Sequence, residues 1–221
     1  MLALNLERIL RRIERARLAY NAHHIVSLVA VSKYQTQADI RALYECGQRA
    51  FGENKVQDLR AKCEELEDLP LEWHFIGSLQ ENKINTLLSL QPTLLHSLDS
   101  LKLAQALQKR LGERKLRALL QVNAANEASK NGVSAETAKT IYEEILSTCP
   151  SIMLEGVMCI GAHSENRADI EASFKRTRDV FDTLQDKGAK ILSMGMSGDF
   201  EMAIAYGANL VRIGSKLFER K

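Results

Sequence analysis

The sequence predicts an α/β protein, a single (β/α)8 TIM barrel with an additional N-terminal helix, and three observations point there. From Ser27 onward short apolar runs alternate with longer amphipathic stretches, and the runs number eight. No G-x-G-x-x-G follows the first run, where an open dinucleotide-binding sheet would carry one. Parallel neighbours need crossover connections, so strands alternating with helices imply a parallel sheet. The 221 residues suit one domain of this kind, since small barrels begin at about 200 residues. Residues 1–221 show no composition shift, low-complexity run or linker, so a single domain is expected.

The elements follow in order. Leu6, Ile9, Leu10, Ile13 and Leu18 recur at roughly helical spacing among Arg8, Arg11, Arg12, Arg15 and Arg17. Such an Arg-rich start can be an organellar transit peptide, but Glu7 and Glu14 interrupt it and serine is missing, so a first helix packed on the domain is expected. A secretory signal is not expected, because the start lacks a continuous apolar core and a small-residue cleavage site. Strands are predicted over 27–32, 50–52, 72–77, 93–98, 116–122, 153–160, 190–194 and 209–213. Helices are predicted over 39–46, 55–66, 81–90, 101–111, 135–147, 168–187 and 199–206. Asp99-Ser100 marks the start of the 101–111 helix, Ser134 that of the next, and Gly188 the close of the helix before the seventh strand.

Composition narrows the function classes. Thirty Lys+Arg against 28 Asp+Glu leave a formal net charge of +2, which gives no footprint for nucleic acid or an anionic membrane. No apolar stretch reaches the 18 or so residues of a membrane span. The run Glu64-Glu65-Leu66-Glu67-Asp68 reads as a solvated helix end, and the small basic cluster around Lys109, Arg110, Arg114 and Lys115 has acidic neighbours. Cys46, Cys63, Cys149 and Cys159 are scattered without a C-x-x-C pair, as in a reduced cytoplasmic protein. The five histidines are dispersed, so no metal site is expected. No heptad seam is present, and a barrel can be monomeric or dimeric.

In such a barrel chemistry belongs at the C-terminal ends of the strands. Lys33 follows the first strand and by period two shares a face with Val29 and Val31. A lysine held at an apolar barrel mouth loses solvation, which favours the neutral amine that attacks a carbonyl; the alternative is a lysine that snorkels into solvent. The loops after strands seven and eight, Gly195 to Asp199 and Gly214-Ser215, are small and rich in backbone donors, as in barrel phosphate sites. An amine at strand one beside a phosphate cradle at strands seven and eight describes a pocket for a phosphorylated aldehyde or ketone. Pyridoxal phosphate fits that description, and so does a sugar phosphate.

Several segments also carry a family resemblance: Ala30-Val31-Ser32-Lys33, Phe51-Gly52-Glu53-Asn54, Trp73-His74-Phe75-Ile76-Gly77 with Gln80, Asn82 and Lys83, Met194-Gly195-Met196-Ser197, and Val211-Arg212-Ile213-Gly214-Ser215. In this order, from about Val26 to Phe218, the chain resembles the YggS-type pyridoxal phosphate homeostasis proteins. The resemblance implies a fold-type-III barrel that binds pyridoxal 5′-phosphate with no established turnover of an amino acid. It implies that Lys33 holds the cofactor as a Schiff base, that Ser197, Gly214 and Ser215 bind its phosphate, and that Arg212 faces the pyridine nitrogen. Asn54, His74, Ser97 and Met196 would line the pocket. The chain departs from the pattern at Lys216, Leu217 and Glu219, and Ile160-Gly161-Ala162-His163 lacks the proline common after strand six; these changes fall at the pocket edge.

Arg212 bears on activity. A guanidinium donates hydrogen bonds but has no proton to spare, so it would leave the ring nitrogen a weak electron sink. Racemases of the same fold type also place an arginine there, with a further β-domain and a tyrosine from a second subunit, and 221 residues leave no room for that domain. Two classes stay open: a carrier that holds pyridoxal phosphate and passes it to recipient apoenzymes, or an enzyme, either racemase-like or a Schiff-base aldolase on a sugar phosphate.

Overall fold

The computed structural model describes residues 1–125, 131–162, 164 and 166–220. Eight parallel strands close into a barrel: β1 (Ser27–Val31), β2 (Ala50–Glu53), β3 (Glu72–Phe75), β4 (Leu94–Leu98), β5 (Leu116–Asn123), β7 (Ile152–Cys159), β8 (Ile191–Ser193) and β9 (Leu210–Ile213). They pair in chain order, and the ring shuts where Ser27 of β1 meets Leu210 of β9. A short ninth strand, β6 (Val133–Ser134), pairs with the end of β5 outside this ring.

The alternation of side chains sorts the strands into two faces. Leu28 and Ala30, Phe51, Trp73 and Phe75, Val157 and Cys159, Val211 and Ile213 belong to the large core between barrel and helices. Val29, Leu94, Leu119, Met158 and Leu210 form a separate cluster inside the barrel. Strands covered on both faces read as near-continuous apolar runs, which is why these were visible in the sequence.

The outer ring is made of α1 (Leu2–Tyr20), α2 (Gln37–Glu45), α3 (Val56–Glu65), α4 (Ile84–Ser89), α5 (Leu101–Leu111), α6 (Ala138–Thr148), α7 (Arg167–Asp182) and α8 (Phe200–Ala205). Local chemistry fixes their starts. Thr36 and Asp39 cap α2 reciprocally, and the Ser100 hydroxyl accepts from the Leu103 N–H of α5. No helix follows β9 among the described residues; α1 packs against both α8 and α2 and so fills that outer position. Its inward residues Leu6, Ile9 and Ile13 are buried, and Arg12 forks onto Glu201 of α8 at 3.0 and 2.6 Å. Leu10 and Leu18, expected on the apolar stripe, lie on its exposed side.

Several boundaries differ from expectation; β3, for instance, ends at Phe75 rather than at 77. Ser134 does not open a helix at 135: its backbone pairs with β5, its hydroxyl accepts from the Thr137 N–H at 3.3 Å, and α6 starts only at Ala138. The expected helices 81–90 and 168–187 each divide into an α-helix and a 3₁₀ turn, Glu81–Lys83 and Gln185–Lys187. The second turn ends as expected at Gly188, whose φ of 89° is left-handed. The proline-less segment after strand six includes His163, which lies outside the described residues.

Candidate functional site

A cavity of about 570 Å³ opens at the C-terminal ends of the strands. Its polar lining comes from Lys33, Asn54, Gln121, Ser197, Arg212 and Ser215, with Gly77, Gly198 and Gly214 exposing backbone. Val31, Ile76, Met158, Ile160 and Met196 supply the apolar wall. An apolar cleft with a few convergent polar groups is the usual form of a small-molecule site. A larger open hollow, about 990 Å³, runs along α1. Its arginines are already engaged: Arg11 with Glu7, Arg17 with Glu14 and Arg15 with Glu201.

Lys33 stands at the tip of a turn held from beneath. The Gln35 N–H donates to the Ser32 carbonyl at 2.9 Å, and Tyr34 takes a left-handed φ of 66°, a strained value for an aromatic residue. Ser32 is fully buried, and its hydroxyl donates to Glu53 Oε1 at 2.7 Å. Lys62 Nζ, from α3, bridges the same carboxylate at 2.5 Å and the Ser32 carbonyl at 2.8 Å. This buried pair therefore fastens the residue preceding Lys33 to β2 and α3. Glu53 Oε2 is buried without a partner. The burial expected of Lys33 itself is not found: β1 ends at Val31, two residues earlier, and Lys33 is exposed at the rim.

The loops after β8 and β9 meet across the cavity. Ser197 Oγ accepts from the Gly214 N–H at 3.2 Å and the Lys216 N–H at 3.5 Å. Asp199 Oδ1 accepts from the Met196 N–H at 2.6 Å, and the Met196 carbonyl accepts from the N–H groups of Asp199 and Phe200. Within the described structure the N–H groups of Ser197, Gly198 and Ser215 donate to no protein atom, so the cradle presents backbone donors to the cavity. Gly77 is required for another reason: a Cβ there would run into the Asn54 carbonyl. The Asn54 side chain has Oδ1 buried without a partner.

The cavity floor is cationic. Arg212, 4% exposed, gives Nη1 to Ser193 Oγ at 2.5 Å and Nη2 to the Cys159 carbonyl at 2.8 Å. No carboxylate lies within ion-pair distance of it among the described residues, and burial pulls its pKa below the usual guanidinium value. Behind Ser193, His96 Nδ1 lies 3.2 Å from the hydroxyl, and His96 Nε2 lies 2.8 Å from His74 Nδ1. Burial, with a smaller push from Arg117, lowers His74 to about 4. Burial, then His74 and Arg212, holds His96 well below its usual value.

The structure thus brings together Lys33, Asn54, Met196, Ser197, Arg212, Gly214 and Ser215 around one cavity. It does not bring His74 or Ser97 to the wall. His74 points inside the barrel beneath the floor, onto His96, because it alternates with the outward Trp73 and Phe75. Ser97 donates to the Gly77 carbonyl at 2.5 Å, bracing the wall from behind. Sequence reasoning missed Gln121, whose Nε2 donates to the Asn131 carbonyl at 2.9 Å, and Ser193. Both could have been found as polar residues on the inward parity of otherwise apolar strands.

The chain matches the family described as alanine racemase, N-terminal domain, over residues 4–220. A pyridoxal phosphate homeostasis protein of Helicobacter pylori (strain ATCC 700392 / 26695) is 59% identical over 217 residues, covering 97% of this chain and 96% of that one. One from Aquifex aeolicus (strain VF5) is 41% identical, covering 98% and 97%. Among solved structures, PipY of Synechococcus elongatus PCC7942 with pyridoxal phosphate (PLP) bound superposes with a TM-score of 0.85 at 33% identity, covering 99% of this chain and 100% of that one. An alanine racemase of Clostridium difficile 630 shares the fold at a TM-score of 0.76 and 16% identity, with 98% of this chain aligned to 57% of the racemase. With its barrel, its cavity and relatives aligned end to end, this chain belongs to the alanine racemase N-terminal domain family, in the branch of the pyridoxal phosphate homeostasis proteins.

Proposed function

We propose that this chain, as one domain over 1–221, binds pyridoxal 5′-phosphate through a Schiff base on Lys33 and serves its homeostasis as a carrier in the cytoplasm, without turning over a substrate. The observation that carries the reading is a buried guanidinium, Arg212, that shares a cavity with an exposed primary amine and has no carboxylate within ion-pair distance among the described residues. Such a cation needs acceptors from a ligand. The unpartnered Asn54 Oδ1 and the open N–H groups of Ser197, Gly198 and Ser215 fit the polar edge and the phosphate of the same molecule. The names of the relatives support it.

When bound, pyridoxal phosphate supplies an aldehyde that condenses with a primary amine, releasing one water, and a ring that withdraws electrons. The residues of this chain do the rest. Ser32, tied to Glu53 and Lys62, holds the Lys33 turn at the rim. The N–H groups of Ser197, Gly198 and Ser215 would bind the phosphate, Gly214, whose N–H is taken by Ser197 Oγ, would shape the cradle, and Asn54 and Met196 would flank the ring. Arg212 donates to the ring nitrogen and has no transferable proton, so the ring stays a weak electron sink and a substrate carbanion gains little. Recipient apoenzymes would take the cofactor from the open rim. The scattered cysteines Cys46, Cys63, Cys149 and Cys159, with no C-x-x-C pair among them, suit a reducing cytoplasm.

The test is optical. The protein charged with pyridoxal phosphate should be yellow, should be fixed by borohydride, and should lose both properties in Lys33→Ala. A panel of amino acids should be neither racemised nor decarboxylated. Sustained turnover that depends on Lys33 overturns the carrier half of the reading, and a wild-type protein that takes up no pyridoxal phosphate overturns the whole.

A further inference from the structure

Inside the barrel, beneath the cavity floor, Arg212, Ser193, His96 and His74 form an unbroken line of contacts at 2.5, 3.2 and 2.8 Å. Ser193 and His96 are fully buried. The chemistry of the first member fixes the sense of the whole line. Arginine has only donors, so the Ser193 oxygen must accept from it. Among the described residues the serine hydrogen then has one acceptor in reach, His96 Nδ1. With Nδ1 accepting, His96 carries its proton on Nε2 and donates to His74 Nδ1, and His74 in turn is protonated on Nε2. The reverse sense would give Ser193 two donors and leave its own hydrogen buried without an acceptor, which costs more than it returns. A charged imidazole at either position would break the line, and the burial of both rings keeps them neutral.

We propose that Ser193 and His96 are positioning residues that act through Arg212: the one-way chain from Arg212 through Ser193 and His96 to His74 anchors the guanidinium in the floor and reserves its remaining N–H groups for an acceptor on the ligand. The inference rests on the pyridoxal phosphate reading for the identity of that acceptor, the ring nitrogen, but not for the chain itself. Its functional content is directional. Hydrogen-bond polarity along this line runs away from the ligand, so none of its members can deliver a proton to the ring through Arg212. Three neutral side chains do what a carboxylate would otherwise do for a buried guanidinium. They hold it in place without adding the negative charge that would keep the ring nitrogen protonated.

Two measurements test it. In the unloaded protein near neutral pH, long-range ¹⁵N–¹H correlation should show His74 and His96 neutral and both protonated on Nε2. A proton on His96 Nδ1, or a charged ring at either position, overturns the chain. In the second, the protein is titrated with pyridoxal phosphate itself. Ser193→Ala should weaken retention about tenfold, the scale of one hydrogen bond to a charged group, and shift the absorption maximum while borohydride still fixes the ligand on Lys33. Ser193→Thr, which keeps the hydroxyl, should restore both affinity and spectrum. Should Ser193→Ala not fold, His96→Gln carries the same expectation. Wild-type affinity and spectrum in a folded Ser193→Ala protein overturn the positioning role. If the wild type takes up no pyridoxal phosphate, the functional reading fails and with it the named acceptor, while the tautomers still decide the chain.

Discussion

Removing Lys62 should destabilise this barrel from the inside of its β1–α3 seam. The Lys62 side chain is 9% exposed and that of Glu53 is 0% exposed, so the ion pair is screened by protein rather than water. Lys62→Met is close in shape and leaves Glu53 with a single donor, the Ser32 hydroxyl at 2.7 Å, for a carboxylate whose Oε2 already has none. An uncompensated buried charge of this kind costs about 3–5 kcal/mol. In a chain of this size that lowers Tm by about 10 °C, at about 2–4 °C per kcal/mol. Urea unfolding near neutral pH should show the midpoint falling with the slope unchanged, since no additional surface is exposed. Glu53→Gln added to Lys62→Met removes the orphaned charge and should recover most of the loss. A drop below about 1 kcal/mol for Lys62→Met alone, or no recovery in the double variant, would falsify the picture of a mutually dependent buried pair.

The other expectations are more local. His74, lowered to about 4 by burial, binds its proton later than an unfolded imidazole near 6.5. The unfolded chain therefore takes up more protons between those values, and the contribution, complete above about pH 6.5, is lost as the pH falls toward 4, at about 1.4 kcal/mol per unit for each such imidazole; urea midpoints that stay flat over this window refute it. Gly156 has a φ of 148° and a Cβ there would strike the Ile191 carbonyl of β8, so Gly156→Ala should cost about 3–5 kcal/mol. Gly47→Ala, at φ 97° with nothing within 4 Å, should cost only about 1 kcal/mol, and equal melting shifts would refute the steric argument. Ser197→Ala with Ser215→Ala should weaken retention of pyridoxal phosphate about tenfold or more while leaving borohydride fixation on Lys33 possible, checked by dialysis and absorbance; unchanged retention removes the phosphate assignment.

Most of the fold was legible because barrel strands are covered on both faces and so stand out as apolar runs such as 28–31 and 118–120. What escaped was decided by pairing at a distance. Val133–Ser134 is too short to show periodicity and becomes a strand only because the end of β5 offers it partners. The site followed the same division. Lys33, Ser197 and Ser215 were readable because residues just past a strand end face the barrel mouth, whereas Arg212, inside β9, was singled out through the family resemblance. The parity of β3 hid the true position of His74, and only closure of the barrel reveals that it meets His96 and not the cavity. Lys62 gave no signal, because a lysine on an amphipathic helix normally faces water.

The position of α1 has a consequence for how the protein is made. It fills the outer slot beside β9, and β1 takes Leu210 to Ile213 as its second partner. During synthesis the first strand therefore carries an open edge until the last strand has left the ribosome, and Leu6, Ile9 and Ile13 lack their α8 neighbour until just before it. A nascent chain stalled after β8 would display the earliest part of the molecule as its stickiest. Completion of the cavity shares that deadline, because Arg212, Gly214 and Ser215 arrive with the segment that shuts the ring.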